Sequence, residues 1–268
     1  MKRSRAFTLV ELLVVVGIIS VLIAILMPVL SGARTSAAKV RAASNLRQLM
    51  TAYIEYSIAN KGSLLLGYPP PVVNGVPVTA ELPDGTLVGT PTSQRYPWRL
   101  IPYVGNVWPI VYYHDEVPQT DYQKGLYAGF GLNSVFLGGH AGGFFGGYVG
   151  DRPNTGGHVM FKAAEVKRPS EQIVFTESRR PDAEADGYFY VMPPRGNAPG
   201  GRWWAPSPDG TTAVAQTGVA GGLPIGRFGR TILVGFFDGH AAPLSTPELD
   251  DMRLWSSRAE TPDFDFAL

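Results

Sequence analysis

Three acids alternate along Asp182-Ala183-Glu184-Ala185-Asp186-Gly187. Oxygens at alternate positions followed by a glycine are how an EF-hand loop begins to ring a calcium ion. The twelfth position of such a loop supplies a bidentate Glu, and here it is Pro193, which excludes an EF-hand. A looser calcium loop and a solvated acidic turn both stand as readings of Asp182, Glu184 and Asp186. Four histidines, His114, His140, His158 and His240, have the chemistry of a base or a metal ligand. None stands at HExxH or HxH spacing, and no G-x-S-x-G occurs, so they read as surface or turn residues. The glycine-rich run from Gly138 to Gly150 lacks a Lys-Ser/Thr ending and a strand-to-helix setting, so it is no phosphate cradle. The absence of cysteine excludes disulfides, thiolate metal sites and a Cys nucleophile. No catalytic set emerges, and no cofactor other than calcium is expected.

Glu11 is the remaining charged residue in a telling place. It is the single charge in an apolar run from Phe7 to Met27, 21 residues long. About 20 apolar residues cross a bilayer core as a helix. Lys2, Arg3 and Arg5 precede the run, so the positive-inside bias places Met1 in the cytoplasm and the bulk of the chain outside. A cleaved secretory signal would have a shorter apolar core and a small-x-small site after it. A carboxylate central in a membrane helix costs roughly 2.5–3.5 kcal/mol, less near the interface. Glu11 therefore either snorkels to the interface or is kept for a partner cation.

Beyond Met27 the helical period continues. Val40, Leu46, Leu49, Tyr53 and Tyr56 form an apolar stripe, with Arg34, Lys39, Arg41, Arg47 and Lys61 between them. Pro28 is expected to kink this helix rather than end it, because apolar residues continue on both sides. A helix from Phe7 to about Ala59 would be a rod of roughly 80 Å, half in lipid and half packed on the following domain. The alternative is an anchor and a separate amphipathic helix with a flexible break at Pro28. Gly62 closes the helix.

The 32 Gly and 23 Pro among 268 residues predict many turns and short strands in residues 61–268. The segment from Tyr68 to Pro97 reads as an extended loop or meander. Strands are expected at Val107–Tyr113, Phe130–Leu137, Gln172–Glu177, Tyr188–Met192 and Thr231–Phe237. Asp238-Gly239 between apolar runs predicts a two-residue type I′ hairpin turn. Thr246-Pro247-Glu248 then starts a short helix to about Trp255, with Thr246 as N-cap. The fold class is α+β: one long N-terminal helix packed on a β-rich domain with long loops. A formal charge of +1 gives no concentrated basic face, so nucleic acid is not an expected partner. Trp98, Trp108, Trp203, Trp204 and Trp255 are core residues or, if exposed, a sugar or partner platform.

The run Arg5-Ala6-Phe7-Thr8-Leu9-Val10-Glu11-Leu12-Leu13-Val14-Val15 resembles the N-terminal signature of type IV pilins and type II secretion pseudopilins. The resemblance implies cleavage by prepilin peptidase between Ala6 and Phe7 and N-methylation of Phe7. The residue before the cut is usually Gly in that family, and here it is Ala6. Glu11 becomes the fifth mature residue, implied to pair with the free amine of a neighbouring subunit and so set the register between helices. Pro28 becomes the twenty-second, where many pilins also carry proline. Asn45-Leu46-Arg47-Gln48-Leu49, Tyr96-Pro97-Trp98-Arg99-Leu100, Gly131-Leu132-Asn133-Ser134, Lys167-Arg168-Pro169-Ser170-Glu171 and Phe237-Asp238-Gly239-His240 are similar in order to blocks of one large bacterial prepilin-like family. That family is known by a C-terminal His-X9-Asp-Gly motif; its His position is Phe228 here, whereas the signature turn, Asp238 and Gly239, is kept. Some major pseudopilins bind calcium in a C-terminal loop, which bears on Asp182, Glu184 and Asp186.

Together these readings predict a non-enzymatic, membrane-anchored structural subunit of a pilus or secretion pseudopilus. Its expected partners are prepilin peptidase, other pilin or pseudopilin subunits and the inner membrane. The alternative is a pilin-anchored module binding extracellular glycan or solute. Loss of Lys2, Arg3 and Arg5 on processing would leave 20 Lys and Arg against 22 acids, a mildly acidic mature chain.

Overall fold

The computed structural model describes residues 8–112, 120–140, 148–149, 152–153, 158–179, 187–195, 204–206, 212–215, 223–224 and 231–264. The chain divides into two compact units, Met1–Val40 and Arg41–Leu268. Helix α1, Leu9–Ala59, is continuous for 51 residues with Pro28 inside it. Pro28 has no N–H to give the Ala24 carbonyl, yet the helix is unbroken on both sides of it. No break of the kind an independent second helix would need is present.

In the first unit, Thr8–Ala37 is exposed throughout. The hydroxyls of Ser20, Thr35 and Ser36 donate to the carbonyls of Val16, Ser31 and Gly32 at 2.8, 3.1 and 3.0 Å. Each of these hydroxyls is thus satisfied within its own helix, which for Ser20, inside the apolar run, is what an apolar solvent requires.

In the second unit, α1 buries Ala42, Leu46, Leu49, Met50, Ala52, Tyr53 and Ser57, a stripe at helical spacing. Val40, expected on that stripe, is instead 71% exposed. The helix ends as read: Lys61 and Gly62 take positive φ of 55° and 73°, and the Gly62 N–H returns to the Ser57 carbonyl at 2.8 Å.

Two small hairpins follow, so of the extended loop or meander expected here the structure has the meander. Strands β1, Val72–Val73, and β2, Val76–Pro77, are joined by Asn74-Gly75, with φ of 51° and 76°. Two positive φ values make this the type I′ geometry that Asn-Gly favours. Strands β3, Ala80–Glu81, and β4, Leu87–Val88, are joined through Pro83-Asp84-Gly85. Short helices α2, Tyr96–Leu100, and α3, Asp121–Leu126, come next.

The main sheet has four antiparallel strands in the order β13-β12-β8-β5. They are β5, Phe130–Leu132, β8, Ile173–Glu177, β12, Thr231–Phe236, and β13, Ala241–Ser245. Between them lie two lesser assemblies: β6, Tyr148–Val149, with β7, Arg152–Pro153, and the three strands β9, Trp204–Pro206, β10, Thr212–Ala215, and β11, Leu223–Pro224. Gly235 of β12 lies against α1: a Cβ there would stand 2.9 Å from Met50 Sδ and 3.1 Å from Leu46 Cδ1. A glycine in mid-strand here lets helix and sheet backbones approach.

Three expected strands are corrected. Trp108–Val111 is a 3-10 turn, because Pro109 has no ladder N–H and a fixed φ. Phe130–Leu137 stops being a strand after Leu132, where the Ser134 N–H turns back to the Leu132 carbonyl at 2.7 Å. Tyr188–Met192 is buried but, among the described residues, makes a single parallel bridge, Tyr190 to Leu132. The strands at 173–177 and 231–236 match expectation.

The hairpin at Asp238-Gly239 is present, with a different turn. Gly235 pairs with Ala241, the Phe236 N–H reaches the His240 carbonyl, and the Gly239 N–H reaches the Phe236 carbonyl, both at 2.9 Å. The loop therefore has three residues, Phe237–Gly239, and among them Gly239 alone has positive φ, 96°. This is a type I turn closed by a left-handed glycine. Leu82-Pro83-Asp84-Gly85-Thr86 repeats it: the Gly85 N–H reaches the Leu82 carbonyl at 2.9 Å with φ of 83°.

The C-terminal helix is split into α4, Thr246–Leu249, and α5, Met252–Trp255. Its N-cap is Ser245, one residue before the expected Thr246, because Glu248 must stand three residues after the cap to close a capping box.

Candidate assembly site

The start of α1 is chemically self-contained. The Glu11 N–H donates to Thr8 Oγ1 at 3.2 Å. The Thr8 N–H and hydroxyl both donate to Glu11 Oε2, at 2.9 and 2.8 Å. This is a capping box, in which the Glu side chain also meets the positive end of the helix dipole. The T-x-x-E spacing of Thr8 and Glu11 carries that signal in the sequence. Oε1 of Glu11 takes no hydrogen bond among the described residues. After Glu11 no charged side chain occurs until Arg34. Ala6 and Phe7 lie outside the described residues.

The blocks quoted from the globular part act as clamps on backbone. Asn45 Nδ2 donates to the carbonyls of Pro109 and Tyr112, both at 2.9 Å. The Tyr96 hydroxyl donates to the Phe130 carbonyl at 2.5 Å. Arg99 Nη2 spans the carbonyls of Gly67 and Gln94. Asn133 and Gln172 both donate to the Trp255 carbonyl, at 2.9 and 2.7 Å. Gln172 Oε1 also accepts from the N–H and hydroxyl of Ser257, both at 2.8 Å. Arg168 Nη2 reaches the Ala259 carbonyl at 2.9 Å. Each is a polar side chain satisfying backbone groups of another segment of the chain.

The Asp238–Gly239 turn is held the same way. The N–H groups of Phe237 and Asp238 donate to the carbonyls of Gln172 and Pro169 at 2.9 and 3.2 Å. His240 Nδ1 lies 2.5 Å from Asp238 Oδ1, and its ring stacks on Phe236 at 4.3 Å. Partial burial acts to raise the Asp238 carboxyl, but the hydrogen bonds from His240 outweigh it and hold the group below its usual range. This pair is a turn lock, as expected of a turn histidine.

His140 departs from the surface reading. It is buried, 3.2 Å from Ser134 Oγ and packed between Tyr68 and Tyr190. Burial pushes its imidazole down to about 3, so it is neutral at pH 7. Ser134 shares that burial. His158 is also lowered, by burial and then by Arg258. His114 lies outside the described residues, as do Phe228 and the acidic loop with Asp182, Glu184 and Asp186. Trp98 and Trp255 are buried at 3% and 0% exposure, so neither belongs to a sugar platform.

Residues 1–27 match the family model of the prokaryotic N-terminal methylation motif. The chain is therefore prepilin-like, and the exposed apolar helix that begins within that motif is a single-pass membrane anchor. No curated protein and no solved structure matches the chain.

Proposed function

We propose that the chain is a structural, non-enzymatic subunit of a type IV pilus or type II secretion pseudopilus. Prepilin peptidase cuts between Ala6 and Phe7, Phe7 is methylated, and the globular unit lies outside the cytoplasm. The observation that carries the reading is the methylation motif over residues 1–27, which contains the start of an apolar helix whose first turn holds Glu11.

In this reading the two oxygens of Glu11 divide their work. Oε2 caps its own helix through Thr8, and Oε1 takes the amine of a neighbouring copy. Pairing offsets the desolvation of both charges and fixes the axial register of adjacent helices. Pro28 would kink the helix within the packed bundle. The burial of Trp98 and Trp255 weighs against a glycan-binding module.

The test is co-purification. Filaments or secretion complexes sheared from cells should contain the wild-type chain and exclude Glu11→Ala, while both stay in the membrane fraction. A wild-type chain absent from every such assembly would remove the subunit reading.

A further inference from the structure

We infer that β13 is an edge built to refuse a partner strand, so that copies of this chain meet without joining their sheets. The inference goes beyond the subunit reading and does not rest on it, because the membrane anchor alone brings copies together on one surface.

The main sheet has two edges, and the chain closes one with its own backbone. On β5 the Leu132 N–H donates to the Phe189 carbonyl and the Leu132 carbonyl accepts the Val191 N–H, both at 3.0 Å. The Phe130 carbonyl, turned the same way, takes the Tyr96 hydroxyl. The edge at β13 has no such cover among the described residues: its one paired neighbour is β12, and Pro243 at its centre is exposed.

Alternation decides where each backbone group of β13 points. In an antiparallel pair every second residue turns its N–H and C=O to the neighbour, and the residues between turn theirs away. The Phe236 N–H bonds to the His240 carbonyl. With Val234 opposite Ala242 and Ile232 opposite Leu244, the inward residues are Ala242 and Leu244. Ala241, Pro243 and Ser245 therefore turn outward. Pro243 has no N–H to offer. The Ser245 N–H donates to Glu248 Oε2 at 2.7 Å, and the Ser245 hydroxyl donates to the same oxygen at 2.6 Å. One carboxylate oxygen thus caps α4 and occupies an edge donor. Ala241 alone keeps an outward N–H.

A second β13 laid antiparallel across the first, centred on Pro243, would find no donor in the central pair. Each end pair, Ala241 against Ser245, would lack one of its two. An open edge otherwise templates pairing between chains, and a proline on the edge is one way that sheets avoid it.

The native absence of cysteine makes engineered disulfides unambiguous. In that pairing Ala242 of one copy stands across from Leu244 of the other, at a non-hydrogen-bonded position where side chains are closest. Full-length copies with Ala242→Cys and copies with Leu244→Cys are co-expressed and oxidised in the native membrane. Thr86→Cys, on the exposed β3–β4 loop, gives the collision background. With Pro243 and Glu248 intact, the mixed disulfide is expected at that background. Pro243→Thr with Glu248→Ala in both copies restores the missing donors and should raise the yield about ten-fold or more. Pro243→Thr with Glu248→Gln keeps an acceptor for Ser245 and should fall between. Pro243→Thr alone leaves the α4 cap untouched and should raise the yield about three-fold, even where the double variants fail to fold. A disulfide well above background with both blocks in place, or one that stays at background in the folded variants, would overturn the inference. Neither result bears on filament co-purification, which tests the subunit reading separately.

Discussion

Thr8 and Glu11 hold each other at the first turn of α1: the Thr8 hydroxyl donates to Glu11 Oε2 at 2.8 Å and accepts the Glu11 N–H at 3.2 Å. The residue that would set register between copies is therefore also the residue that starts the helix within one copy. The two roles separate by mutation. Thr8→Val removes only the cap, worth about 1 kcal/mol of local helix stability, and should leave incorporation within about two-fold of wild type. Glu11→Gln keeps an acceptor for the cap and removes the charge, and should lower incorporation about tenfold or more, equivalent to about 1.4 kcal/mol. The amount of each chain in purified filaments checks both.

The clamp on the Trp255 carbonyl is the second test. Gln172→Leu strips a donor from Trp255 and the acceptor from both Ser257 groups, in a site with 0% exposure at residue 172. Groups left buried without partners cost about 1–3 kcal/mol. Denaturant unfolding of the detergent-extracted chain should show a loss of that size with the slope unchanged.

Two left-handed glycines should respond differently to a methyl group. A Cβ on Gly239 meets only Ile54 Cδ1, at 3.5 Å, so Gly239→Ala pays the φ strain alone, about 1–2 kcal/mol. A Cβ on Gly138 would overlap the Leu65 carbonyl oxygen. Gly138→Ala should therefore be the more destabilising in the same unfolding measurement, by backbone displacement added to strain.

Burial of His140 predicts an acid-sensitive fold. Its folded value of about 3 lies below the ordinary 6.5, so the unfolded chain binds the extra proton first. Stability then falls as pH drops below 6.5, with a slope of up to about 1.4 kcal/mol per unit for one proton, and levels off for this group near pH 3. His140→Gln should remove that part of the slope between pH 6.5 and 4. An unfolding series at stepped pH, wild type against variant, reads the difference directly.

The legible parts of the sequence were those where one local rule decides. The apolar run ending at Met27, the Gly62 stop and the hairpin at Asp238-Gly239 needed no tertiary information. Other local signals were present and passed over: Thr8 three before Glu11, Asn74-Gly75 between valines, and Pro109 inside a supposed strand. The type of turn at Asp238-Gly239 depended on tertiary capture, since the N–H groups of Phe237 and Asp238 bond to 169 and 172. The depth of His140, the exposure of Val40 and the meeting of Asn133 with Trp255, 122 residues apart, depend on packing that no window of sequence contains.

The most direct test of the account is intact-mass and N-terminal analysis of the chain extracted from its native membrane. The account predicts a chain beginning at Phe7 with a methylated amine, six residues shorter than the 268 encoded. A chain still beginning at Met1 would contradict it, since Glu11 would then have no freed amine to meet at its own depth.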